Sequence, residues 1–155
     1  MENKVINTKN RELFITRMLN APVDLVWEAW TSPEHIANWW GPDGFNNTIY
    51  TMDVRPGGLW HFMMHGPDGT DYENKSIFKE IVKFERIVYE HISYPKQLVT
   101  ISFEAQGEQT LLTWHMLFES AEVFELIVKT HGAAEGLKQN VAKLEVYVKG
   151  MTERS

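Results

Sequence analysis

The alternation of apolar and polar side chains changes period twice along the chain. Leu13 and Ile15, continued by Arg17, alternate with Phe14, Thr16 and Met18, the period-two pattern of a strand. Residues 1–11 before it are polar and read as a lead-in. Val23, Val26, Trp27 and Trp30 then fall at i, i+3, i+4 and i+7, one apolar face of a helix. Pro22 suits the first turn of that helix and Asp24 its positive end. Ser32-Pro33-Glu34 restarts a second short helix, with Ser32 as cap, and Gly41-Pro42 ends it after Trp39-Trp40.

From Phe45 the period returns to two. Strands are predicted at 46–54, 58–65, 71–82, 85–93, 98–106 and 109–118. Turn chemistry at Pro56-Gly57-Gly58, Gly66-Pro67-Asp68-Gly69, Tyr94-Pro95-Lys96 and Gly107-Glu108 separates most of them. Gly-Pro-Asp-Gly occurs at 41–44 and again at 66–69, which reads as reused turn chemistry and not as an internal repeat. A helical stretch begins at Ser120 and is broken or kinked at His131-Gly132. Beyond it Ala133, Leu137, Val141, Leu144 and Val148 form an amphipathic stripe about 25 Å long at 1.5 Å per residue. The predicted order is strand, two short helices, six strands, then the long helix. A six-strand meander must cover its apolar face, and the last helix is the element long enough to do so. The fold class is α+β: a curved antiparallel sheet of about seven strands around a C-terminal helix, one domain over 12–150 with a tail at 151–155.

Composition narrows the chemistry. Six Trp, eight Phe and five Tyr among 155 residues suit a large core or an aromatic-walled cavity. Cysteine is absent, which excludes disulfides, a thiolate nucleophile and a Cys-based zinc site. A net charge of −6 without a basic stripe argues against nucleic acid as a partner. Met1-Glu2-Asn3-Lys4 lacks the pattern of a signal peptide and no apolar run reaches the length of a membrane span. The expected location is the cytoplasm, where the sequons at Asn46 and Asn74 carry no meaning.

A set of short motifs stands in one order: Val26-Trp27-Glu28-Ala29-Trp30-Thr31 with Pro33-Glu34, Trp39-Trp40-Gly41-Pro42, Asp53-Val54-Arg55-Pro56-Gly57-Gly58, and Pro67-Asp68-Gly69. Together they resemble the SRPBCC (START-like) superfamily, in the branch named after the C-terminal domain of the heat-shock-protein-90 ATPase activator. The resemblance covers about residues 12–150. Two positions depart from it: Lys83-Phe84 replaces the usual hairpin prolines, and Leu137 follows Gly136 where a Trp is frequent. The resemblance implies a helix-grip fold with a cavity between sheet and last helix. It does not imply one activity, since relatives bind lipids or hormones, cyclise polyketides or assist a chaperone. The eukaryotic co-chaperone has a further N-terminal domain that grips the chaperone, for which this sequence has no counterpart.

Strand alternation assigns faces. Trp60, Phe62 and Met64 share one; Ile87, Tyr89 and His91, then Val99, Ile101 and Phe103, then Leu112, Trp114, Met116 and Phe118 continue the predicted concave surface. A hairpin symmetric about Lys83-Phe84 sets Ser76 opposite His91 and Phe78 opposite Tyr89. Tyr72, Asn74, Ser76 and His91 are thereby expected to form a polar patch at one end of the cavity, either to orient a ligand carbonyl or hydroxyl or to satisfy one another. His91 has a suitable intrinsic pKa for a general base, but no acid partner or oxyanion-hole motif accompanies it. His61 and His65 have the spacing of helical metal ligands, yet four strand residues span about 13 Å, too far for one ion. His115 is expected to face outward beside Thr113. No zincin or hydrolase-elbow motif occurs, and Gly132–Lys138 lacks the spacing of a phosphate loop. Of Trp39 and Trp40, either one ring packs inward and the other gates the cavity or meets a partner, or both cover core edges.

Three readings follow. In the first, a small apolar or amphipathic molecule sits between the sheet and helix 133–149, walled by Trp40, Trp60, Phe62, Met64, Tyr89, Phe103, Trp114, Leu137, Val141 and Leu144 and oriented by Tyr72, Asn74, Ser76 and His91. No metal, cofactor or catalytic residue is assigned. In the second, a cyclase or hydrolase uses the same cavity. In the third, the domain is a protein-interaction module that modulates a chaperone ATPase.

Overall fold

A computed structural model describes residues 4–8, 11–130 and 132–154. Eight antiparallel strands form one sheet in the order β1-β2-β8-β7-β6-β5-β4-β3. They are β1 Lys4–Thr8, β2 Glu12–Leu19, β3 Asn46–Met52, β4 Leu59–His65, β5 Asp71–Val82, β6 Arg86–His91, β7 Gln97–Gln106 and β8 Gln109–Phe118. Strands β3 to β8 are the expected meander, each paired with the next, and β2 closes onto β8. Residues 1–11 hold more than a lead-in: Lys4–Thr8 adds an eighth strand against β2, with Lys4 opposite Thr16 and Thr8 opposite Glu12. Its polar composition hides it because an edge strand needs backbone pairing more than an apolar face.

Between β2 and β3 lie α1, Val23–Thr31, and α2, Pro33–Trp39. Val26, Trp27, Ala29 and Trp30 are the buried face of α1, as the apolar spacing dictates. After β8, Ser120 caps α3, Ala121–Glu125, by accepting a hydrogen bond from the Val123 amide. A π-helical turn, Leu126–Thr130, follows. Of the predicted break, His131 lies outside the described residues, while Gly132 adopts φ +66° and so ends the preceding turn. Helix α4 spans Ala133–Arg154, 22 residues or about 33 Å, four residues past the expected boundary at 150. Met151 is buried there and keeps the last turn attached.

The sheet curls around α4, helped by irregularities between Ile49 and Thr51 and between Phe78 and Glu80. The Asp53–Gly58 turn permits only glycine at its end, because a Cβ on Gly58 would stand 1.9 Å from the Asp53 carbonyl oxygen. Val141, Leu144 and Val148 of α4 are fully buried, and the helix packs on β2, α1 and α2. An ion pair between Arg17 on β2 and Glu145 on α4, 2.6 Å apart, ties helix to sheet. The concave face is the predicted one: Trp60, Phe62, Ile87, Tyr89, Val99, Ile101, Phe103, Leu112, Trp114 and Phe118 are all buried. No helix among the described residues is long and apolar enough to cross a membrane.

Candidate functional site

A cavity of about 250 Å³ opens between the sheet and the first turns of α4. Its sheet wall comes from Trp60, Phe62 and Met64 on β4, Asn74 and Ser76 on β5, Tyr89 and His91 on β6, Gln97 on β7, and Trp114 and Met116 on β8. Gly132, Ala133, Gly136, Leu137 and Asn140 form the helix wall, and Trp40, Gly41 and Pro42 close the remaining side. Alternation places the sheet residues, since each contributing strand turns the same face inward. The loop after α2 is held to α4 by two hydrogen bonds: the Asp43 amide donates to Gln139 (3.0 Å), and Lys143 Nζ donates to the Pro42 carbonyl (3.2 Å).

Ten of the fourteen sequence-predicted site residues meet here: Trp40, Trp60, Phe62, Met64, Asn74, Ser76, Tyr89, His91, Trp114 and Leu137. Four do not. Phe103 packs edge-on against Trp27 and Trp30, at ring separations of 5.1 and 6.4 Å, because α1 fills that end of the concave face. Val141 and Leu144 belong to the solid core beneath it. Tyr72 shares the face of Asn74 but lies beyond the cavity, 46% exposed, with its ring 5.9 Å from Phe45. Sequence reasoning missed several wall residues. Gln97 lies two residues before Val99 and so shares its buried face; Asn140 sits beside Leu137 and Val141 on the apolar stripe of α4. Both signals were present in the sequence. Pro42, Gly132 and Pro95 carried none beyond their turn chemistry.

The aromatic part of the wall is continuous. Trp40 stacks on Trp114 at 5.4 Å and meets Trp60 edge-on at 5.0 Å; Trp60 in turn contacts Phe62, Phe78 and Tyr89. Neither ring of Trp39-Trp40 is exposed to a partner: Trp39 is buried with its Nε1 donating to the Ala29 carbonyl (3.1 Å), and Trp40 is a buried cavity wall, so of the two expectations the one with both rings covered holds.

The polar end collects Asn74, Ser76, His91, the Pro95 carbonyl and Gln97. Ser76 and His91 are cross-strand partners, as expected. His91 Nδ1 lies 2.9 Å from the Pro95 carbonyl oxygen, and Nε2 lies 2.8 Å from Asn74 Oδ1 and 3.3 Å from Ser93 Oγ. A neutral ring has one N–H and satisfies one of the two carbonyl-type oxygens; an imidazolium would satisfy both. Burial is the larger influence and holds the His91 pKa below its ordinary value, against the upward pull of the Pro95 and Ser93 backbone. Burial also pushes the Tyr89 phenol far above its usual range, so it stays protonated. Ser76 Oγ makes no hydrogen bond to His91, so the pair is not an activated nucleophile. Five polar atoms of the wall residues have no hydrogen-bond partner among the described residues: Trp60 Nε1, Trp114 Nε1, Ser76 Oγ, Gln97 Oε1 and Asn140 Oδ1.

Three further histidines lie outside the cavity lining. His61 and His65 stand outside the cavity, 2.8 Å from Glu73 and Asp71, and His115 pairs with Glu12 at 2.7 Å. Among the described residues no group of three His, Cys, Asp or Glu could hold a metal ion.

Comparison with known proteins bears on the fold and the family. No curated protein sequence matches the chain. Solved structures do. A protein from Arthrobacter aurescens superposes with a TM-score of 0.88 at 22% identity, over 95% of this chain and 91% of that one. A protein from Nitrosomonas europaea gives 0.83 at 23% identity, over 96% and 99%. An AHSA1-like protein from Aeromonas hydrophila gives 0.68 at 18%, over 90% and 94%. At these identities the likeness establishes the helix-grip fold. The sequence model of one family, described as Activator of Hsp90 ATPase homolog 1-like protein, matches residues 20–149. That span is most of the chain and includes every strand of the cavity wall, and the protein belongs to the Activator of Hsp90 ATPase homolog 1-like family.

Proposed function

We propose that this protein binds a small amphipathic molecule in the cavity between its sheet and α4. The observation that carries the reading is a concave, largely aromatic wall whose residues also hold five buried polar atoms without a hydrogen-bond partner among the described residues. A core built only for stability leaves few such atoms, because each buried unsatisfied group costs about 1–3 kcal/mol. Ligand sites combine concave apolar walls with a few convergent polar groups. At about 250 Å³ the cavity is just below the usual range of roughly 300–1,000 Å³, which favours a ligand smaller than a typical drug. Catalysis has less support: His91 faces a backbone carbonyl and an amide, with no carboxylate to orient it.

Native mass spectrometry of the protein purified from its own cells tests the reading. A reproducible added mass that disappears on denaturation is expected. A bare chain, together with no thermal stabilisation by any of a broad set of small aromatic and aliphatic compounds, would remove the proposal. The family description favours a second reading, modulation of a chaperone ATPase. Stimulation of a purified Hsp90-type ATPase by the isolated chain would support it, and would require a surface contact, since the Trp rings at the cavity are buried.

A further inference from the structure

The cavity wall contains no Asp, Glu, Lys or Arg among the described residues. Its titratable groups are His91 on β6, kept neutral by burial, and Tyr89 beside it, kept protonated for the same reason. An entering carboxylate, phosphate or ammonium would lose its hydration without meeting a counter-charge, a cost that neutral hydrogen bonds do not recover.

The unpartnered atoms divide by chemistry and by wall. On the sheet side, the indole N–H groups of Trp60 and Trp114 are donors, Gln97 Oε1 is an acceptor, and the Ser76 hydroxyl is either. On the helix side, Asn140 Oδ1 is an acceptor. Ser76 is 0% exposed and Asn140 7%, so neither takes a partner from bulk solvent. Neighbouring side chains cover these oxygens in the free protein. The terminal torsions of Asn and Gln are broad, and a small turn presents them to the cavity.

Resting on the binding reading above and deepening it, we propose that the ligand is an uncharged molecule carrying both a hydrogen-bond donor and an acceptor, such as a neutral hydroxy-carbonyl or amide compound. Its donor engages Asn140 on the helix wall and its acceptor engages the sheet wall. Asn140 is the residue that sets this preference, and carboxylates and amines of the same skeleton are rejected. A ligand bridging the two walls joins α4 to the sheet at the point where the core between them is hollow.

Four probes of one skeleton test this by isothermal titration calorimetry at pH 7.5: 2-naphthamide, 2-naphthoate, 2-naphthylmethylammonium and 2-methylnaphthalene. The amide is expected to bind at least tenfold more tightly than either ion and more tightly than the hydrocarbon. Asn140→Leu should narrow the ratio of amide to hydrocarbon affinity by about fivefold or more, the amide losing affinity relative to the hydrocarbon. Should that variant fail to fold, Ser76→Ala is expected to lower amide affinity by a smaller factor in the same direction. An ion that binds as tightly as the amide overturns the charge assignment, and a hydrocarbon that matches the amide overturns the hydrogen-bond assignment; in both cases the cavity still binds and the wider reading stands. Failure of all four probes overturns the proposal as stated, while the wider reading is decided separately by the native mass spectrum and the thermal-shift screen above.

Discussion

Replacing Ser76 with alanine separates a binding wall from a packed core. The hydroxyl is fully buried between Trp60 and His91 on the neighbouring strands and has no hydrogen-bond partner. Removing an unsatisfied buried hydroxyl returns its desolvation cost of about 1–3 kcal/mol. The void left by one oxygen, roughly 15 Å³ at about 24 cal/mol per Å³, takes back about 0.4 kcal/mol. The change in strand propensity is a few tenths of a kcal/mol. Ser76→Ala is therefore expected to stabilise the ligand-free protein by about 0.5–2 kcal/mol. At about 2–4 °C per kcal/mol for a chain of this size, the melting temperature rises by roughly 1–8 °C. Differential scanning calorimetry on protein stripped by denaturation and refolding reads this directly, and affinity for a bound ligand should fall in the same variant. A melting temperature that drops by 2 °C or more would refute the reasoning, because it would mean that Ser76 Oγ is satisfied in solution and that the wall has no polar capacity to spare.

Burial holds the His91 pKa below its unfolded value of about 6.5, so the unfolded chain binds the extra proton between the two values. The stability this group contributes is complete above about pH 6.5 and is lost as pH falls through the lowered folded value. Melting temperatures from pH 5 to 8 should consequently slope less in His91→Gln than in the parent, and parallel curves would contradict the assignment. Leu137→Trp directs an indole into the cavity; the variant should fold with stability within about 1–2 kcal/mol of the parent while losing the co-purifying mass in native mass spectrometry. Glu145→Ala leaves the Arg17 guanidinium, whose Nη1 already lacks a partner, without its counter-ion. With the two side chains 16% and 33% exposed, the loss should be about 1–3 kcal/mol, less than the roughly 3–5 of a fully buried pair, as measured by urea unfolding.

Element types and most boundaries were legible because period-two and 3.6-residue patterns report which face is buried. The Ser76–His91 pairing was also legible, but through two offsets that cancel. Near the turn the pairs run one residue further than the symmetric hairpin, with Val82 opposite Arg86 and Ile81 opposite Ile87. Phe84 takes φ +68° there, a conformation a bulky residue does not announce. The irregularity at Lys79 then restores the register, so that Phe78 meets Tyr89 and Ser76 meets His91. The cavity boundary was less legible. Phe103, Val141 and Leu144 obey the same periodicity as the true wall residues, and periodicity does not say whether an opposing side chain fills the space in front of them.

What decides between core and cavity is the size of the residues along α4. From its third turn onward it presents Val141, Leu144 and Val148, branched side chains that are fully buried and leave no gap. The approach to the helix and its first turns present Gly132, Ala133, Gly136 and Asn140 instead, and Gly132, Gly136 and Asn140 recur every four residues on one stripe. Close packing is not the reason for Gly136: a Cβ there would meet Pro42 Cγ at 3.5 Å, an ordinary contact. Glycine inside a helix costs about 1 kcal/mol relative to alanine. Glycine here, where alanine would fit, lowers helix stability and leaves the cavity stripe without a side chain at this position. On the binding reading proposed above that cost has a reason, since a side chain at this position would narrow the cavity.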